Sequence, residues 1–233
     1  MLILKSDKYK YIICTFPKSG CTVLRLLHLY LNKEEDEVID DKFEDKHHAL
    51  DINIFNINDP IYDEYHKVVV YRNAYERLCS IFYQKICGVM TENIKFENKL
   101  IKQPHRLTDT RSTFNKWVYI LYKRKVKDMH FEPQSKHSFK FDETLEIRNI
   151  KEIFKHNKEL NKLANSLMEQ YNINHRNSMN YYELPEFRDL SNYDFFKDEN
   201  QLIKEFSVPH CKYLLTQEMK NIIKNNYPDD FLE

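Results

Sequence analysis

Glycine is nearly missing from this chain, with two in 233 residues, and neither sign of charge is in excess. Lysine plus arginine and aspartate plus glutamate number 36 each, so the formal net charge is zero. This balance argues against a general nucleic-acid binder, although it leaves room for a local basic pocket. No run of about 18 apolar residues is present, so we expect no membrane span. Residues 1–8 become charged too early for a signal peptide, and we therefore expect a cytoplasmic protein.

The five cysteines are an odd number and lack the spacing of metal ligands. We therefore expect reduced thiols and no metal site. Cys21 precedes a predicted helix, where the pKa of a thiol can be lowered, but we interpret it as a packing residue. The length of 233 residues fits one domain, 1–233, that can bury a sizeable core.

A short apolar run, Tyr11–Cys14, is followed by Pro-Lys-Ser-Gly-Cys-Thr at 17–22 and then by apolar residues at helical spacing. The pattern predicts a strand, a tight loop and a helix. A helix N-terminus exposes unpaired N–H groups and the positive end of the helix dipole, so it favours phosphate or sulfate. Here Gly20 lets the backbone approach the anion, Lys18 supplies a positive charge and Thr22 supplies a hydroxyl. The order of Lys and Gly is not that of a Walker A motif, and an ordinary turn with Lys18 in solvent is the alternative interpretation.

A second candidate anion site follows Val68–Val70, a β-branched run typical of a strand buried on both faces of a parallel sheet. Arg72 comes just after this run, and Ser80 lies two turns into the helix predicted next. In open α/β sheets ligands bind beyond the carboxyl ends of the strands, so we expect Arg72 and the Lys18 loop to open onto the same edge. A guanidinium makes forked bonds to phosphate, which the Ser80 hydroxyl could share. A solvent-facing arginine and an ordinary helix serine are the alternative.

Apolar residues at helical spacing predict further helices over 114–122, over 150–167 and around Ile222 and Ile223, and Phe139–Phe141 suggests a short strand. The fold class is therefore α/β, with a small central parallel sheet flanked by many helices.

The two anion motifs together resemble the sulfotransferases that use 3′-phosphoadenosine 5′-phosphosulfate (PAPS). They are closest to the carbohydrate-type branch (sulfotransferase family 2), which includes the Golgi chondroitin and heparan 2-O enzymes and their bacterial relatives. Phe16–Thr22 resembles the 5′-phosphosulfate loop of that family, and Arg72–Ser80 resembles its 3′-phosphate motif, Arg-Asp-Pro-x-Glu-Arg-x-x-Ser. Asn73 stands where that motif has Asp and Ala74 where it has Pro. The loss of Pro predicts a looser start to the helix.

Weaker similarities extend the resemblance from about residue 10 to the C-terminus. His130–Gln134 resembles a His-aromatic-x-Pro-Gln segment of this branch, His175–Ser178 resembles a later His-x-Asn-x-Ser segment, and residues 214–231 resemble its closing helix and tail. The resemblance implies a P-loop-like sulfotransferase fold. It also implies donor-nucleotide contacts from Arg176, Asn177 and Ser178, and an acceptor-side role for His130.

The implied reaction is in-line transfer of a sulfuryl group from PAPS to a hydroxyl-bearing acceptor, a carbohydrate in our interpretation, with 3′-phosphoadenosine 5′-phosphate (PAP) as the product. Lys18 and the loop amides would stabilise the leaving phosphate, and Arg72 with Ser80 would hold the 3′-phosphate. A histidine base suits this chemistry near neutral pH. His48, and after it His47, is our choice because the heparan 2-O branch carries its proposed base in the corresponding interval. The donor-binding residues we assign are Pro17, Lys18, Ser19, Gly20, Cys21, Thr22, Arg72, Ser80, Arg176, Asn177 and Ser178.

Two other interpretations remain open from the sequence. A P-loop kinase would transfer phosphate from ATP with Mg²⁺, although no Walker A motif and no magnesium carboxylate after a strand are evident. A catalytically inactive nucleotide-binding or interaction module would bind the donor product without turnover. Because fold does not fix substrate, a sugar, a peptide tyrosine, a lipid and a small metabolite all remain open as the acceptor.

Overall fold

The computed structural model describes residues 1–34, 37, 56–87, 113–123, 134, 140–173, 180–195, 201–203 and 207–226. The chain forms two compact units. The first comprises Met1–Arg72 with Lys136–Arg176, and the second comprises Asn73–Ser135 with Asn177–Glu233. The assignment of one domain to residues 1–233 stays a prediction.

Six strands and five α-helices lie within the described ranges. The strands are β1 Leu2–Ser6, β2 Tyr11–Thr15, β3 His66–Tyr71, β4 Glu143–Glu146, β5 Asn180–Tyr182 and β6 Ser207–Pro209. The helices are α1 Cys21–Leu31, α2 Ala74–Ile81, α3 Phe114–Lys123, α4 Lys158–Gln170 and α5 Gln217–Asn226. The predicted α/β class is confirmed at this level.

The first unit is built on a four-stranded sheet with the order β1-β2-β3-β4. Strands β2, β3 and β4 are parallel, as predicted, with Cys14 opposite Val69 and Val69 opposite Thr144. Strand β1 is antiparallel to β2 and forms a hairpin at the sheet edge that the sequence interpretation did not include. The carboxyl ends of the three parallel strands lie together along the edge of the sheet that runs across the strands. The candidate site lies at this carboxyl edge.

Both faces of this sheet are buried, as the valine run predicted. Val68 and Val70 pack with α1 and α4 in one core cluster, which also contains Leu24, Leu27 and Ala164. Val69 points to the opposite face and belongs to a second cluster. Alternate side chains of a strand face opposite sides of a sheet, so this division follows from the strand geometry.

Two predicted elements of the first unit have different boundaries in the structure. The helix predicted over 150–167 is divided into a 3₁₀ helix, Ile147–Glu152, and α4, because the Asn157 side chain caps α4 by accepting from the Leu160 N–H at 3.1 Å. Leu163, one of the apolar residues whose spacing predicted this helix, is 40% exposed. The strand suggested near Phe141 begins instead at Glu143.

The second unit contains α2, α3, α5 and the parallel pair β5–β6. Helix α2 continues through one π-helical segment, Phe82–Ile86. The helix predicted after Arg72 corresponds to α2, and Leu78, Cys79, Phe82 and Ile86 of this region are buried. The predicted helix over 114–122 corresponds to α3. Buried aromatic side chains make up much of the core: Phe82, Tyr83, Phe114, Trp117 and Phe195.

Candidate active site

The loop after β2 is a tight turn fixed by its own backbone. The Ser19 N–H donates to the Phe16 carbonyl at 2.9 Å, which closes a four-residue turn with Pro17 second and Lys18 third. Lys18 has φ 68°, a left-handed conformation that few non-glycine residues adopt. Proline in the second position and positive φ in the third are the marks of a type II turn. The Ser19–Phe16 hydrogen bond and Pro17 together hold Lys18 in a strained but defined place.

A second set of bonds ties the turn to the strand and the helix. The Thr15 hydroxyl donates to the Ser19 carbonyl at 2.9 Å, and the Cys21 thiol donates to the Phe16 carbonyl at 2.9 Å. Ser19 is fully buried. Since the Ser19 N–H is used inside the turn, the predicted set of anion-binding amides is reduced to Gly20, Cys21 and Thr22.

Gly20 begins α1 and cannot be replaced without strain. Its φ is 86°, in the left-handed region, and its carbonyl accepts the first helical bond from the Leu24 N–H at 3.0 Å. A Cβ at this position would lie 2.2 Å from Ile147 Cδ1. Both the backbone conformation and the space around it therefore require glycine here. Ile147 follows β4, so the end of that strand packs directly on the loop.

Arg72 lies next to this loop. It follows β3, and its Nη1 donates to the Lys18 carbonyl at 3.5 Å. Thr15 and Val70 are opposite each other in the parallel β2–β3 pair, which brings the two strand ends to the same edge. The structure thus brings together the two cationic residues that the sequence interpretation placed at one edge of the sheet.

Two further groups near the loop were not identified from the sequence. Arg25, one helical turn after Cys21, has a buried Nε with no hydrogen-bond partner among the residues that the structure describes. Arg148 follows β4 and pairs with Glu146 at 2.5 Å, and Glu146 is opposite Tyr71 in the sheet. The helical spacing from Thr22 could have indicated Arg25. Arg148 could not be identified, because its place near the loop depends on β4, and the strand in this region was predicted at the wrong residues.

Burial raises the pKa of the Cys21 thiol, and this effect exceeds the opposing influence of the nearby Arg25 guanidinium. The thiol is therefore protonated at neutral pH, which fits a packing role and not that of a nucleophile.

Comparisons with known proteins identify the family. The model of the sulfotransferase family (family 2) matches residues 2–232, nearly the whole chain. The chain belongs to the sulfotransferase family. Comparisons with curated proteins and with solved structures gave no significant match. The resemblance drawn from the sequence motifs is thus confirmed, and family membership supports sulfuryl transfer as the general reaction and a hydroxyl group as the acceptor.

In this sulfotransferase, the helix that carries the second motif, α2, lacks the Pro of the family motif at its start, but Asn73 caps its N-terminus. The Asn73 side chain accepts from the Tyr75 N–H at 3.0 Å, and the Asn73 carbonyl accepts from the Arg77 N–H at 2.9 Å. Asparagine and aspartate both cap helices well, so the predicted loosening of this helix start is offset. Ser80 is buried in α2 of the second unit, with 6% exposure. Its pairing with Arg72 stays a prediction.

The remaining sequence-predicted residues of the sulfotransferase lie outside the described residues. They are His47, His48, His130, Arg176, Asn177 and Ser178. Their roles as base, acceptor contact and nucleotide contacts stay predictions. Within the part of the chain that the structure describes, no helix is both long and apolar enough to cross a membrane.

Proposed function

We propose that this sulfotransferase moves the sulfuryl group of PAPS to a hydroxyl of a carbohydrate acceptor, with PAP as the second product. The observation that carries the proposal is the contact of Arg72 Nη1 with the Lys18 carbonyl at 3.5 Å. It supports a single anion site to which the loop contributes one cationic side chain and the end of β3 contributes another.

The residues at this edge fit a donor that carries several negative charges. Lys18 and Arg72 supply two cations, and Gly20 allows close approach to the N-terminus of α1. The buried Nε of Arg25 has no acceptor within the described part of the chain, as expected where a ligand atom completes the bonding. The strand–loop–helix arrangement of β2 and α1 supports the P-loop-like part of the fold assignment.

The chemistry that PAPS supplies when bound is an activated sulfuryl group on a phosphate leaving group. Lys18 neutralises the negative charge that grows on the bridging and 5′-phosphate oxygens as that bond breaks. The backbone amides of Gly20, Cys21 and Thr22 donate to the same phosphate without rearranging, because the turn and α1 already fix them. Pro17 and Ser19 act through the turn, by fixing where Lys18 lies.

Arg72 holds the 3′-phosphate together with Ser80, and so sets the register of the donor. Contacts from Arg176, Asn177 and Ser178 complete nucleotide binding in this proposal. His48, or His47 beside it, takes the proton of the acceptor hydroxyl as its oxygen attacks sulfur. His130 contributes to the acceptor side.

Calorimetry with PAP tests the donor assignment. We expect one PAP to bind per chain, and ATP with Mg²⁺ to bind much more weakly. A folded protein that ignores PAP would overturn the proposal, and tight Mg²⁺-ATP binding would favour the kinase interpretation. Binding of PAP without sulfuryl transfer to any of a panel of sugar hydroxyls would favour the inactive nucleotide-binding module.

A further inference from the structure

We propose that His66, Glu143 and His156 form a binding site for a divalent cation of the zinc type in the first unit. The site is separate from the anion site. His66 and Glu143 are the first residues of the parallel strands β3 and β4, whereas Lys18 and Arg72 lie beyond the carboxyl ends of β2 and β3. The two sites therefore lie at opposite ends of the parallel strands, the cation site at the amino ends and the anion site at the carboxyl ends.

The backbone fixes two of the three residues in place. The His66 N–H donates to the Lys10 carbonyl at 2.9 Å, at the start of the β2–β3 pairing. Glu143 is opposite Val68 in the β3–β4 pair, and the Asp142 N–H donates to the Lys67 carbonyl at 2.8 Å. Strand pairing thus sets the separation of the imidazole and the carboxylate, as a preformed site requires.

The potential ligand atoms converge. One atom from each of His66, Glu143 and His156 lies within 4.8 Å of the other two. His66 Nε2 is 3.6 Å from Glu143 Oε2. Two ligands of one tetrahedral zinc ion, each about 2.0–2.1 Å from it, lie about 3.3 Å apart. The observed separation is therefore close to what a shared ion needs.

An unsatisfied atom points to a ligand at this place. His66 Nε2 is buried and makes no hydrogen bond to any residue that the structure describes. Buried polar atoms nearly always have a partner, so an orphan between a carboxylate and a second imidazole is an unusual feature. A cation bound to Nε2 would give this atom a partner, and the Glu143 carboxylate would neutralise part of the charge of the cation.

The mixture of ligands favours zinc over magnesium or calcium. Two imidazoles with one carboxylate are typical zinc ligands, whereas the harder cations prefer oxygen alone. Asp142 Oδ2 lies 3.8 Å from His66 Nδ1, on the other side of the ring. A carboxylate at this ion-pair distance favours a proton on Nδ1 and so leaves Nε2 as the nitrogen for the metal. Three protein ligands leave a fourth position for water.

The cluster holds together without a cation by two other contacts. The rings of His66 and His156 stack with centroids 3.4 Å apart and planes at 27°. Lys155 Nζ pairs with Glu143 Oε1 at 2.7 Å, which leaves Oε2 facing His66. Cation binding requires the stacked rings to open, and His156 can turn because it lies on the exposed segment before α4.

Zinc titration of the chelator-treated, tag-free full chain tests this site. We expect one Zn²⁺ per chain by calorimetry, and at least about a tenfold weaker affinity in His156→Ala, which removes one of three ligands, and in Glu143→Gln, which replaces an anionic ligand by a neutral amide. His210→Asn removes a histidine outside the cluster, keeps a side chain that can cap its 3₁₀ helix, and should bind Zn²⁺ like the wild type. Circular dichroism confirms that each variant is folded, and the exposed His156 makes its variant the safer one.

Cobalt as a spectroscopic substitute distinguishes this site from the five thiols. We expect Co²⁺ to give the visible bands of a nitrogen and oxygen site, lost in His156→Ala. Strong sulfur-to-cobalt charge-transfer bands, no Zn²⁺ binding by the wild type, or equal binding by the wild type and both cluster variants would each overturn the proposal. PAP binding should be unchanged in His156→Ala, which separates this result from the test of the proposed function.

Discussion

Arg72 and Lys18 are 54 residues apart in the chain, yet the Arg72 guanidinium donates to the Lys18 carbonyl at 3.5 Å. Arg72 thus contacts the backbone carbonyl of Lys18, and the cationic side chain of Lys18 is attached at this same point of the turn. A substitution at either position is expected to affect donor binding, but for different physical reasons. Lys18 contributes charge at a strained backbone position, whereas Arg72 contributes charge and also supports the turn.

Lys18→Gly should separate the stability of the turn from its chemistry. Glycine adopts φ 68° without strain, so we expect the free energy of unfolding to stay the same or to rise by up to about 1 kcal/mol. Sulfuryl transfer should nevertheless be lost, because no cation remains to neutralise the leaving phosphate. Chemical denaturation and a sulfuryl-transfer assay measure the two effects. Lys18→Arg, which keeps the charge, is the control and should retain part of the activity.

A near-normal rate in Lys18→Gly would contradict the role given to the lysine charge. Loss of activity together with loss of folding would instead show that the side chain is needed for the structure, contrary to the strain that its positive φ implies.

Arg72→Ala should chiefly weaken donor binding. Loss of a charge-assisted contact to phosphate costs about 2–4 kcal/mol, so the Kd for PAP should rise by about 30-fold to 1,000-fold. Arg72→Lys should fall between the wild type and the alanine variant, because an ammonium keeps the charge but not the fork. Arg188→Ala, at an exposed arginine over the Tyr193 ring, is a matched control. An unchanged Kd for PAP in Arg72→Ala would remove Arg72 from the site.

Gly20→Ala should destabilise the loop and weaken PAP binding together. Alanine at φ 86° is strained, and its Cβ would displace the Ile147 side chain, so we expect a loss of about 1–3 kcal/mol in unfolding free energy. In the background of Ile147→Ala the steric part disappears and only the backbone strain remains. The cost of Gly20→Ala should therefore be smaller in that background, by thermal or chemical denaturation of all four proteins. An equal cost in both backgrounds would show that Ile147 does not limit this position.

The sequence predicted those parts of the first unit that show strong patterns. The apolar run of β2, the valines of β3 and the Pro-Lys-Ser-Gly loop each carry a local signal, and the family match confirms the motif resemblance. Strand β4 has the sequence Glu-Thr-Leu-Glu, and only Leu145 in it is buried, so nothing in its composition suggested a strand beside β3. Its stability comes from pairing with β3, which composition does not reveal.

Two other features depended on contacts that no local pattern records. The break before α4 comes from the Asn157 cap, within a run whose apolar spacing alone suggested one continuous helix. His66, Glu143 and His156 meet through strand pairing, so a search for closely spaced ligands in the sequence could not find them. The left-handed conformation of Lys18 was not evident from the sequence either, because Pro17 suits type I and type II turns alike and lysine does not favour the positive φ of type II.

His28 makes the stability of the first unit depend on pH. Burial lowers the pKa of its imidazole from 6.5 to about 4. Its Nδ1 lies 3.0 Å from the Tyr11 hydroxyl, which also accepts from Asn32 Nδ2 at 3.0 Å. The folded protein thus holds His28 neutral, while the unfolded chain takes up a proton once the pH falls below about 6.5. Stability is therefore fully present above that pH and declines as the pH falls toward 4.

The loss from His28 should total about 3 kcal/mol between pH 6.5 and 4, since each unit of pKa difference corresponds to about 1.4 kcal/mol. Urea denaturation at a series of pH values measures it. His28→Gln removes the titrating group but keeps a polar side chain, so its unfolding free energy should vary less over this range, by about the same 3 kcal/mol. If the unfolding free energies of the wild type and of His28→Gln change with pH in parallel, His28 has the same pKa in the folded protein as in water. The burial of His28 beside Tyr11 argues against that outcome.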